Sequence, residues 1–140
     1  NVLRGRSTAN ESAAVGNLRA LISSLEMFRS VNQAYPDAWQ ADMYTTPDPD
    51  FGPPSFAGNL QAAAVLVQGY RYLYTPDAGG GATPQIYDIN ANPDFLGRTG
   101  TRTFWADESG QVFHCTGDNI SGTLPVAVTS SIDQVPVACP

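Results

Sequence analysis

NVLRGRSTANESAAVGNLRALISSLEMFRSVNQ, residues 1–33, contains no proline and places Ala14, Leu18, Leu21, Leu25 and Phe28 at alternating intervals of four and three. That spacing keeps one apolar stripe on one side of an α-helix. Val15 and Ile22 widen the stripe, while Arg19, Ser23, Glu26 and Arg29 fall on other faces and stay solvated. Counted from Ser7 to Asn32, such a helix is about 39 Å long. Thr8 and Glu11 have capping-box spacing, and the helix is equally able to start before residue 1. Tyr35-Pro36 ends it, because the residue before proline is driven out of the helical region.

Outward from this helix the chain changes character twice. MYTTPDPDFGPPSF, residues 43–56, strings X-Pro units together with few apolar side chains and reads as a surface loop. The following NLQAAAVLV, residues 59–67, fits a short helix or the approach to a strand, because periodicity does not decide at this length. From Gly69 the period becomes two. Tyr70, Tyr72 and Tyr74 alternate with Arg71 and Leu73, TPDAGGGATP makes a turn, and Gln85–Ile89 returns as a second strand. Thr101–Ala106 and Gln111–Cys115 give two more strands, joined by Asp107, Glu108, Ser109 and Gly110. The expectation is a single α+β domain: helix over 1–33, connecting region over 34–68, antiparallel sheet of about four strands over 69–115, and an irregular tail over 116–140.

Composition narrows the function classes. The 140 residues hold seven basic and 13 acidic side chains, for a net charge of −6, so no nucleic acid partner is expected. Every basic residue is arginine, which removes Schiff-base and amine-nucleophile chemistry. Cys115 and Cys139 are the only cysteines, and their number and spacing fit one structural disulfide in an oxidising, extracytoplasmic setting. The chain carries no run of about 18 apolar residues and no signal peptide, and reads as mature or truncated.

The chemistry-bearing residues gather in GTRTFWADESGQVFH, residues 100–114. Asp107-Glu108-Ser109-Gly110 is a good hairpin connection: the aspartate bonds backbone N–H groups ahead of it, and the glycine supplies a positive φ. A catalytic reading needs Asp107 or Glu108 in a cleft, and the tip of a hairpin is solvated. His114 is the only histidine, so no multi-histidine metal site exists, and strand geometry sets Ser109 about 16 Å from it, too far for a triad. Trp39, Trp105 and the three tyrosines fit either a sugar-stacking platform or core and interface packing. Gly79-Gly80-Gly81 lacks the GK[ST] of a phosphate loop and is a turn. Asp118 and Asn119, with neighbouring carbonyls, are candidates to contribute to a calcium site, without the spacing of a known loop; no other cofactor is expected. Asn10-Glu11-Ser12 and Asn119-Ile120-Ser121 fit the glycosylation sequon.

NVLRGRSTANESAAVGNLRAL resembles the stretch that directly follows the apolar N-terminal segment of type IV pilins and type II secretion pseudopilins. GYRYLYTPDA and YDINANPDFLGRTGTRTFWADESGQVFH resemble the sheet region of bacterial pilin-like proteins, and the likeness covers most of residues 1–115. It implies a filament subunit, extracellular if from a pilus and periplasmic if a pseudopilin. The complete form would carry a leader and an apolar helix, cleaved and N-methylated by prepilin peptidase, and that helix would be its only link to a membrane. That segment is absent here, so either it has been removed or a separate short pilin chain supplies it. Cys115 and Cys139 match the disulfide-bounded C-terminal region of type IV pilins, whereas many major pseudopilins use calcium there. Ala14, Leu18, Leu21, Ile22, Leu25 and Phe28 are the expected packing positions, with apolar surface left over for sister copies in a non-closing helical contact. No enzymatic activity is expected; a pseudopilin and a secreted carbohydrate-binding module using Trp39 or Trp105 are the competing readings.

Overall fold

A computed structural model describes residues 2–61, 65–121, 124, 125 and 127–140. Helix α1 spans Val2–Asn32, and Gln33, at φ 62, turns the chain out of it before Pro36. Because α1 starts at Val2, Thr8 lies inside the helix, where its hydroxyl donates to the Arg4 carbonyl, and the Thr8–Glu11 capping box is corrected. Residues Ala14, Leu18, Leu21, Ile22, Leu25 and Phe28 are all buried. They lie against the chain's own sheet, chiefly its central strands, so the surplus expected on this stripe is absent.

The sheet has six strands, not about four: β1 (Val65–Val67), β2 (Tyr70–Asp77), β3 (Ile86–Pro93), β4 (Arg102–Asp107), β5 (Val112–Thr116) and β8 (Val137–Ala138), in that spatial order. Strands β6 (Ile120–Ser121) and β7 (Leu124–Pro125) form a separate small ladder. The first five strands of the large sheet are antiparallel, and β8 adds in parallel beside β5. The two extra strands are short edges. β1 lies in the stretch that periodicity left open, of which residues 62–64 are outside the described residues. β8 lies in the tail expected to be irregular, and the Cys115–Cys139 disulfide closes over that tail.

Register explains the core. Tyr72, Ala91, Phe104 and His114 face one another across four strands, and Tyr74, Ile89, Ala106 and Val112 form the next row. All eight are buried, in the alternation that a half-covered sheet requires. Two β2 tyrosine hydroxyls find carbonyl partners: Tyr70 donates to the Arg102 carbonyl at 2.6 Å and Tyr74 to the Pro36 carbonyl at 2.7 Å. An added Cβ at Gly100 would overlap the Tyr70 ring, so only glycine admits this approach.

The connecting region is more than a surface loop. Trp39, Met43, Phe56 and Leu60 are fully buried, and the Trp39 indole donates to the Phe56 carbonyl at 2.8 Å while packing against Tyr74. A π-helical turn at Ala41–Thr45 and a 3-10 turn at Pro54–Phe56 hold these side chains over the sheet. Among the described residues no helix is long and apolar enough to cross a membrane.

Candidate functional site

Helix and sheet are joined by a buried polar clamp. Glu11 faces the sheet, and one of its carboxylate oxygens accepts from Arg102 Nε at 2.7 Å. The other accepts from the Thr101 N–H and hydroxyl, each at 3.0 Å. Burial pushes the Glu11 carboxyl up, yet the Thr101 N–H, the Arg102 guanidinium and the Thr101 hydroxyl together outweigh it and hold the carboxyl below its ordinary value. Arg102 continues the chain of bonds. It also meets His114 Nδ1 at 2.9 Å and lies over the Phe104 ring. A guanidinium only donates, so Nδ1 accepts and the ring proton sits on Nε2, which donates to the Gln134 carbonyl at 2.8 Å. His114 therefore ties α1, the sheet and the C-terminal tail together. Among the described residues, no hydroxyl nucleophile bonds either ring nitrogen.

The Asp107–Gly110 turn sits at the tip of the β4–β5 hairpin. Asp107 accepts from the Ser109 N–H at 3.0 Å and from the Ser109 hydroxyl, and Gly110 has φ 83. Asp107 has a second neighbour that the linear sequence conceals. Asp88 of β3 lies directly opposite it, and with Thr75, Asp77, Trp105 and Glu108 the pair lines a shallow cleft of about 270 Å³. Burial, then the charges of Asp107, Glu108 and Asp77, push the Asp88 carboxyl up to about 6. A carboxyl raised in the folded state makes the fold most stable below the ordinary aspartate value, with stability falling as pH rises to about 6. Asp88→Asn is therefore expected to raise stability at pH 7 by roughly 1–2 kcal/mol, after discounting for solvent screening. It should also flatten the decline between about pH 4 and 6. Urea unfolding across that range reads both effects; an unchanged slope would remove Asp88 as its cause.

The other residues singled out by sequence fall in different places. Trp39 and the tyrosines Tyr70, Tyr72 and Tyr74 are buried in the core and form no sugar-stacking surface. Trp105 is partly exposed and packs on Phe113. Asp118 is exposed and Asn119 buried, and among the described residues no group of three His, Cys, Asp or Glu side chains is arranged to hold a metal. Asn10, of the first sequon, donates its amide to the Thr99 carbonyl at 3.0 Å. Gly79 and Gly80 take positive φ within the β2–β3 connection. Cys115 and Cys139 form the disulfide, which fits an oxidising compartment.

The outward side of α1 carries a feature that the sequence reading did not single out. At 100° per residue, Val2, Ala9, Gly16, Ala20, Met27 and Val31 fall within about 60° of one another, opposite the buried stripe. All six are exposed, Met27 at 58% and Val31 at 65%. An added Cβ at Gly16 would meet nothing within 4 Å. A helix whose outer face is apolar and small, rather than charged, offers a shallow track on which another helix can lie closely. No family model, curated protein or solved structure matches the chain.

Proposed function

We propose that the chain is a structural subunit of an extracellular type IV pilus-like filament, assembling through the outward face of α1. The observation that carries this reading is the second apolar track on the helix. The inner stripe is used by the fold, so an assembly contact needs a separate surface, and Val2, Ala9, Gly16, Ala20, Met27 and Val31 supply one along the helix. A contact between this track and a different patch of the next copy is heterologous, and repeated without closure it generates a filament. The disulfide-closed tail and the helix-on-sheet order support the same reading.

Gly16→Glu tests it in two directions. Glutamate is the better helix former and the site is open, so the isolated chain should keep its stability or gain about 0.5 kcal/mol. In the cells that make the protein, the same change should exclude the chain from filaments, as read by immunogold electron microscopy. Incorporation at the parental level would remove this face as the contact. Native filaments that never carry the unmodified chain would remove the filament reading itself.

A further inference from the structure

Charge is distributed unevenly along the molecule. Arg4, Arg6, Arg71, Arg98 and Arg102, five of the seven arginines, lie at the end where α1 begins and the β3–β4 loop turns. The Asn10–Thr99 and Glu11–Thr101 bonds fix these two segments side by side. Three of the 13 carboxylates, those of Glu11, Asp94 and Asp118, share this end, and two of them are engaged in the Arg102–Glu11 and Arg71–Asp94 pairs. The other ten lie further along the helix, beyond its C-terminus and at the opposite ends of the strands. A chain of net negative charge thus has one basic pole.

That pole ends in an exposed apolar tip. Phe95 and Leu96 are adjacent, 57% and 52% exposed, in the loop between β3 and β4. The loop is tightly braced. The Thr99 hydroxyl accepts from the Phe95 N–H at 3.0 Å, the Phe95 carbonyl accepts from the Arg98 and Thr99 N–H groups, and Gly97 N–H bonds the Gly100 carbonyl at 2.8 Å. Its two largest apolar side chains are consequently held outward while the Arg98 guanidinium lies 5.7 Å from the Phe95 ring centre. Among the described residues Arg4, Arg6 and Arg98 form no ion pair.

We infer that this pole docks on an anionic lipid surface, with Phe95 and Leu96 entering the headgroup boundary and Arg4, Arg6 and Arg98 facing the phosphates. Two side chains are too few for a stable protein interface, which needs about 800 Å² from each partner, but they suffice for shallow insertion beside a charged surface. The acidic far end does not prevent it. A helix of 31 residues is about 46 Å long, several times the Debye length of about 8 Å at physiological ionic strength, so the distant carboxylates are screened from the membrane. The inference stands independently of the filament reading.

Co-sedimentation of the intact chain with vesicles tests it, using phosphatidylcholine alone and phosphatidylcholine mixed with phosphatidylglycerol. Binding is expected to the mixed vesicles only, and to weaken in about 0.5 M salt. Arg98→Ala should lower the partition coefficient about fivefold, and the Phe95→Ala, Leu96→Ala pair about tenfold or more, with thermal unfolding of each variant unchanged. A Phe95→Trp variant should show blue-shifted emission on mixed vesicles. Equal binding to both vesicle types, no binding to either, or variants that bind like the parent would overturn the inference. So would lipid-free self-association that Arg98→Glu abolishes without altering vesicle binding, because the pole would then serve another copy of the chain.

Discussion

Replacing Arg102 by alanine is expected to destabilise the chain by about 3–5 kcal/mol at pH 7, because it leaves the Glu11 carboxylate buried without its cation. The pH dependence identifies the cause. Glu11 is held below its ordinary value, so its contribution is complete above the usual glutamate range and disappears as pH falls through the depressed folded value. In the variant burial acts with less opposition, the carboxyl rises, and protonation relieves the penalty. The difference between parent and variant, from urea unfolding at pH 7 and at about pH 3, should therefore shrink in acid. A difference equal at both pH values would assign the loss to Arg102 packing on Phe104 instead. Glu11→Gln keeps the shape but leaves one accepting oxygen where the carboxylate had two; because it removes the buried charge and strands only the more exposed Arg102, it should still cost less than the arginine change.

The second large effect concerns the tail. Substituting Cys115 and Cys139 together by serine, or reducing the bond, is expected to cost about 3.5 kcal/mol, the chain-entropy value for closing a loop of this length. The loss should concentrate at the sheet edge. β8 is only two residues long and pairs in parallel with β5, so few hydrogen bonds hold it once the covalent link is gone. Hydrogen exchange of the Cys139 amide, which bonds the Thr116 carbonyl, would report its release before global unfolding. Persistent protection there after reduction would show that the backbone pairing suffices alone.

What the sequence made legible follows from the range of each signal. The Leu18–Leu21–Leu25–Phe28 spacing and the Tyr70–Tyr72–Tyr74 alternation are local periodicities, and they located the helix and the four long strands. β1 and β8, at three and two residues, are too short to show a period, and β8 is positioned by a bond to a cysteine 24 residues earlier. Met43, Phe56 and Leu60 escaped notice as core because a proline-rich segment has no repeat, although the size of their side chains was itself a signal; Trp39 was legible as a core candidate by its size alone. The Glu11–Arg102 clamp spans 91 residues and the Asp88–Asp107 pair depends on register, so neither leaves a local trace. The outer track of α1 was readable in principle. Its seven-residue intervals, Val2–Ala9–Gly16 and Ala20–Met27, were masked because alanine and glycine carry little hydropathy beside the leucines of the inner stripe.

Tension applied to the chain beyond Cys139 would take an unusual route through this molecule. The Cys139 sulfur joins that residue to Cys115 within β5. A pull on Pro140 is thus passed by a covalent bond straight into the interior of the sheet. The bond bypasses the chain between the two cysteines. A chain wired in this way can be hauled upon beyond Cys139 without its two-residue edge strand being peeled away first.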